Sequence, residues 1–223
     1  MGIADYLGRY WTGAEAMYGV IIVMTFTSTF RSFEFHTSEL YTTVVLSALF
    51  CCVAWGVADG FFYAWEDAYN ARSRHLIISD SKSKEKKSKA LSMVKEELDD
   101  TILGSIEDSE RKKLYEGIVE YLSKNELKKE RARADFLRKL PHYLLGTSVL
   151  SAGTGVIVLL PFFIFRSNIT LALNISDIIG VVALFAIGFY RTQDSSLTKK
   201  LSTGLISSLL GIIIIAITVV LGG

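Results

Sequence analysis

Asp59 stands in Trp55-Gly56-Val57-Ala58-Asp59-Gly60, deep inside a long apolar run. A carboxylate in such a place is costly in lipid, and where one occurs it faces a polar path or a partner. Two chemistries follow. The group ligates a cation or carries a proton, or it ties helices together through a buried hydrogen bond. Glu66 and Asp67 come seven and eight residues later. Asp59, position 63 and Glu66 therefore share one helix face and extend a polar track toward the end of the run. The plainer reading is that Glu66 and Asp67 mark the helix end. Glu15 opens the first apolar run, where a carboxylate also suits the positive end of a helix dipole. Met17 and Met24, seven residues apart, offer thioethers that suit softer metals or serve as adaptable packing groups. Asp177 starts the fourth run and reads as an end residue.

A second set of acids recurs at helical spacing in a charged block: Glu96 and Glu97 with Asp99 and Asp100, Glu107 with Glu110, Glu116 with Glu120, and Glu126 with Glu130. Carboxylates three or four residues apart lie on one face and can share a hard cation. Lysines are interleaved, and a charge-rich helix is also simply a solvated face. His75 and His142 are isolated. There is no Gly-rich phosphate loop, no Ser/His/Asp set and no Cys/His cluster, which argues against an enzyme. Cys51 and Cys52 are adjacent within an apolar run and read as small packing residues rather than a disulfide.

The 223 residues carry 24 Lys+Arg against 23 Asp+Glu. That balance argues against nucleic acid as a partner, which usually needs a basic excess. The charge is concentrated between residues 66 and 140, and elsewhere the apolar residues form five runs. They are Ala14 to Phe30, Leu40 to Trp65, Tyr143 to Phe165, Ile175 to Tyr190 and Leu201 to Leu221. A span needs about 20 mostly apolar residues. Trp11 and Tyr10 complete the short first run at a membrane–water boundary. The fourth extends back through Leu171, Ala172 and Leu173. The runs lack strand-type alternation, so helices are expected. Gly and Ser recur in the third and fifth, where small residues let helices approach closely. Pro161 is expected to bend the third. The fold class is thus an all-α membrane protein: five transmembrane helices with a cytoplasmic helical insert between the second and third. Residues 1–67 hold the first two spans, 68–140 the insert and 141–223 the last three.

The insert is rich in good helix formers. The second helix should continue through Glu66, Asp67, Tyr69 and Arg72 and break at Ser79-Asp80-Ser81. A further helix is expected over Ser88 to Leu103, ended by Gly104. Another is capped by Asp108 or Ser109 and carries Leu114, Ile118, Tyr121 and Leu122 as a stripe. Glu126 to Leu140 leads back to the third span. The stripes are narrow, so the insert is expected to draw stability from a dimer partner. Between Arg72 and Lys139 lie 18 Lys/Arg, and Arg191, Lys199 and Lys200 follow the fourth run. The opposite loops are poor in basic residues. Positive-inside then places the N-terminus and the insert in the cytoplasm and the C-terminus outside a multi-pass cell membrane. Asn168-Ile169-Thr170 matches a glycosylation triplet on the outer side, a pattern common by chance. The N-terminus lacks a signal-peptide pattern.

Several stretches together resemble one family. Glu15-Ala16-Met17-Tyr18-Gly19-Val20 through Thr25-Phe26-Thr27, Ala54-Trp55-Gly56-Val57-Ala58-Asp59-Gly60, Leu159-Leu160-Pro161-Phe162-Phe163 and Gly188-Phe189-Tyr190 are similar to a divergent bacterial and archaeal branch of the vacuolar iron transporter family. The layout also matches: five membrane helices and a carboxylate-rich cytoplasmic insert after the second. In the main branch an Asp-Gly pair stands in the first helix; here Gly19 to Val23 holds no acid. The resemblance implies a homodimer that exchanges Fe2+ or Mn2+ against protons, along a path between the first two helices of both subunits. Asp59 would be the intramembrane ligand. Glu66, Asp67 and Glu15 would line the cytoplasmic mouth, with Met17 and Met24 along the path. Glu96, Glu97, Asp100, Glu107, Glu110, Glu116 and Glu120 would gather cations. No permanently bound cofactor is implied; the partners are the bilayer, a second copy, divalent cations and protons. The alternative is a non-transporting membrane scaffold whose insert binds a protein or, through Lys82 to Lys89, anionic lipid.

Overall fold

The computed structural model describes residues 3–31, 38–125, 132–192 and 196–222. The described residues form seven α-helices: α1 (Ile3–Arg31), α2 (Ser38–Ser81), α3 (Lys87–Asp99), α4 (Asp108–Lys124), α5 (Ala132–Ile164), α6 (Ile169–Arg191) and α7 (Leu197–Gly222). Short 3-10 turns lie at Lys84–Lys86 and Ile102–Ser105. No strand occurs among them. Five stretches are long and apolar enough to cross a membrane: Tyr10–Arg31, Glu39–Ser81, Phe136–Ile164, Ile169–Arg191 and Leu197–Val220. The chain divides into two compact units. One comprises Met1–Tyr63 with Leu140–Gly223, the other Ala64–Lys139.

In the first unit α1 is the central helix. Over half of its span, 56%, is buried within the protein, against 17% for α7. It packs on α6 and α7, and its other side meets α2 and α5. Val20, Val23 and Met24 are fully buried there with Cys52, Val158 and Leu184. Helix contacts in lipid gain little from hydrophobicity, so close fit must hold them together. Two glycines provide that fit. A Cβ at Gly19 would collide with the carbonyl oxygen of Ser151, and one at Gly56 with the Cα of Ser148. α5 is thereby brought against the backbones of α1 and α2. At Gly60, one turn beyond Gly56, an added Cβ would likewise stand only 2.8 Å from the Leu144 Cα. Hydroxyls are directed to backbone carbonyls across these seams: Ser176 donates to Val158 at 2.8 Å, and Tyr41 to Phe162.

α1 begins earlier than its apolar run. It continues back to Ile3 through a break at Gly8, whose φ of 73° only glycine adopts readily. Glu15 is consequently an interior residue of a helix rather than its opening one, and the dipole reading of Glu15 does not hold. α5 likewise starts at Ala132 and passes through both Pro141 and Pro161. Cys51 and Cys52 are free thiols.

The second unit has its own small core of Ile77, Ala90, Val94, Tyr115 and Val119. α2 ends at Ser81, as its Ser-Asp-Ser sequence signals. α3 stops at Asp99, earlier than the expected Leu103. Gly104 sits instead in a 3-10 turn, folded so tightly against the Asp99 carbonyl that a Cβ would strike it. The residue before α4 is Glu107, and it makes no side-chain cap bond; neither Asp108 nor Ser109 caps the helix. Arg111, inside the helix, ties the preceding turn to it instead, donating to the Gly104 carbonyl at 3.0 Å and pairing with Asp108 and with Asp99 at 3.5 Å. Arg111→Ala should destabilise this unit by about 1–3 kcal/mol, the usual cost of stranding partners of a charged hydrogen bond. Hydrogen exchange of the amides of α4 would read the loss.

Candidate functional site

Glu15 on α1 is fully buried, with 0% exposure. Its Oε1 accepts a hydrogen bond from the Tyr63 hydroxyl at 2.8 Å. Its Oε2 is buried and has no donor among the described residues. The Asp59 carboxyl, one turn before Tyr63 on α2, is a neighbour of Glu15. Two carboxyls from two helices are thus neighbours, and the Tyr63 phenol is bonded to Glu15. Two neighbouring carboxylates from different helices are a pair that one hard cation can bridge.

Close packing fixes the register that brings the pair together. Gly56 and Gly60 bring α2 against α5, and Tyr63, on nearly the same face as Gly56, reaches Glu15 on α1 from the edge of that contact. On α1, Gly19 holds the level one turn beyond Glu15, and the Cys52 thiol meets its carbonyl at 3.6 Å. Aromatic rings enclose the seam. Trp11 lies 5.3 Å from Tyr63, and Tyr18 lies 5.8 Å from Trp55. Asp59 itself is half-buried, so the pair is not sealed from its surroundings.

The two methionines lie elsewhere. Met17 is about 200° around α1 from Glu15 at 100° per residue, and Met24 about 180°. Met17 Sδ sits 3.8 Å from Arg191 Nη1, whose guanidinium also lies 3.7 Å over the Tyr10 ring. Met24 fills the notch opposite Gly180 on α6, its Cε 3.3 Å from where a Cβ would stand at Gly211 on α7. A sulfur already contacting a guanidinium is poorly placed to receive another cation. Asp177 is an ion-pair residue: its Oδ2 lies 2.8 Å from Arg31, and Asn174 accepts from the same guanidinium at 3.0 Å.

The remaining acids belong to the second unit. Glu66 is exposed, and Asp67 pairs with Lys139 at 2.6 Å. Glu96, Asp100, Glu107 and Glu116 are exposed. Glu97 accepts from Ser73 at 3.1 Å, and Asp99 from Tyr115 at 2.9 Å. Burial, with that bond to Asp99, holds the Tyr115 hydroxyl above its ordinary pKa. Glu110 pairs with Lys113 at 2.8 Å. Glu120 pairs with Lys124 at 2.6 Å, which holds its carboxyl below the usual range. Glu126 and Glu130 lie outside the described residues. Among the described residues, no three His, Cys, Asp or Glu side chains gather as a ready metal cage.

Sequence reasoning placed Asp59 and Glu15 on the same path without pairing them, and it left Tyr63 as a bare position on the face. The signal available was the one-turn spacing of Asp59 and Tyr63. Comparison of the chain with protein-family models, with curated proteins and with solved structures gave no match.

Proposed function

We propose that the chain is a membrane-embedded, proton-coupled transporter of a divalent cation, Fe2+ or Mn2+, that works as a homodimer and binds its ion between Glu15 and Asp59. One observation carries this reading: two carboxyls from two helices meet in the interior of apolar segments, with an oxygen of Glu15 left unserved. A divalent ion neutralises both charges at once. Protons do the same, so ion and proton compete for one site, and that competition is the coupling. Carboxylate and phenol oxygens suit hard and intermediate cations. Two acids are too few to surround such an ion, and water fills the remaining positions. Tyr63 orients Glu15 and keeps its Oε2 toward the ion. The resemblance to vacuolar iron transporters points the same way, as does the ordering of basic residues that places the N-terminus and the charged unit in the cytoplasm and the C-terminus outside.

The test is the purified chain in proteoliposomes, with metal influx followed by a trapped indicator and proton counterflow by a pH dye. Metal-dependent flux of both is expected; a chain that moves neither under an imposed pH gradient refutes transport. Tyr63→Phe removes the donor to Glu15 and nothing else. Uptake should fall roughly tenfold, the scale on which outer partners of a metal ligand act. The metal dependence should move to higher concentration while maximal flux changes less.

A further inference from the structure

Helix α4 turns Tyr115 and Val119 into the core of the second unit. Its opposite face is open and centred on Gly117, where a Cβ would find nothing within 4 Å. Glycine is the poorest helix former after proline, and no close approach within the chain accounts for it here. Leu114 and Tyr121, about one turn to either side, are 44% and 62% exposed. Along the same face run Glu110, Lys113, Glu120 and Lys124, all exposed, in the order minus, plus, minus, plus.

That order complements itself in one direction alone. Seen down the helix at 100° per residue, Leu114 and Tyr121 fall on one flank of Gly117, and Lys113 and Glu120 on the other. Glu110 and Lys124 lie near the midline, two turns away at either end. Two copies laid antiparallel about a two-fold axis at Gly117 set Leu114 of each against Tyr121 of the other. The same operation sets Lys113 against Glu120 and Glu110 against Lys124. A parallel pair sets Glu110 against Glu110 and Lys124 against Lys124, and puts Leu114 beside Lys113. We propose that α4 is a contact surface for a second copy of this chain, antiparallel and centred on Gly117. The missing side chain lets the two backbones close, the flanking apolar pair covers the gap, and the charges choose the direction. The pairing stands apart from transport, because no ion enters it.

Cross-linking of the full chain in membranes of expressing cells tests this. Gly117→Cys should give a covalent dimer on mild oxidation, well above the background from native Cys51 and Cys52. Ser92→Cys, exposed on α3, should not. The fourfold reversal E110K/K113E/E120K/K124E keeps both ion pairs within the helix. Carrying Gly117→Cys, the reversed chain should cross-link to itself as the unreversed chain does. Tagged for size and co-expressed, the two should form mixed dimers at least severalfold less often than like pairs. No dimer above background, equal cross-linking at Ser92→Cys, capture of a different protein in place of a second copy, or indifferent mixing would each overturn the proposal.

Discussion

Asp59→Asn should lower Fe2+ or Mn2+ uptake into proteoliposomes at least about a hundredfold, since even an outer partner of a metal ligand contributes on the order of 10–100-fold. Asparagine has the shape of aspartate and can donate a hydrogen bond to Glu15, so the seam between α1 and α2 stays packed and one of two neighbouring charges is gone. The variant should therefore purify as a folded protein, at least as heat-resistant as the parent. Glu15→Gln should behave alike, and its amide can still accept from Tyr63. The two changes together should cost little more than either alone, because both dismantle one site. Residual uptake near the parental level in either variant would remove the carboxyl pair from transport and leave Asp59 as a helix tie. Loss of uptake in both with retention of fold is what a shared ion site requires and a tie does not.

The second large effect falls on packing. Gly19→Ala places a methyl group on the Ser151 carbonyl oxygen, a backbone atom that cannot move without shifting α5. Overfilling a packed seam typically costs about 1–3 kcal/mol, and a clash with backbone belongs at or above the top of that range. Gly56→Ala meets the Cα of Ser148 and should act similarly. Gly153 is the internal control. It lies on the same α5, with nothing within 4 Å of an added Cβ, and alanine there should be neutral or gain up to about 1 kcal/mol from helix propensity. Thermal unfolding in detergent, read by size-exclusion chromatography, orders the four proteins. A Gly19→Ala chain as stable as Gly153→Ala would contradict the close approach of α1 and α5. Because Gly19 and Gly56 also set the register of Glu15 and Asp59, whatever folded protein remains should lose uptake as well.

The apolar runs located five helices because length and composition alone limit what lipid admits. The termination of α2 at Ser79-Asp80-Ser81 was equally legible, since those side chains compete with backbone bonds. Their ends were less so. The polar stretch before Ala14 gave no sign that α1 reaches back to Ile3, and this misplaced Glu15 at a helix start. Helical periodicity showed that Met17 and Met24 share a face, but which neighbour that face meets depends on α6 and α7, far along the chain. The meeting of Glu15 with Asp59 is likewise a matter of register between two helices. That register is set by glycines whose partners lie on a third. In the charged unit, Gly104 was read as a helix terminator when its lack of a side chain serves a tight fold onto Asp99. Arg111, which ties that fold together, carried no local signature at all.

The central place of α1 bears on how such a chain comes to be made. A ribosome releases α1 first and α6 and α7 last, yet those late helices cover one of its sides. Of the five apolar segments it has the lowest mean hydropathy, and it carries a wholly enclosed acid. During synthesis that acid must wait for α2 to deliver Tyr63 and Asp59, and the methionine side must wait longer still. Biogenesis would thus leave the least oily helix without its companions for the longest time, either held by the insertion machinery or parked at the membrane surface until the final hairpin arrives.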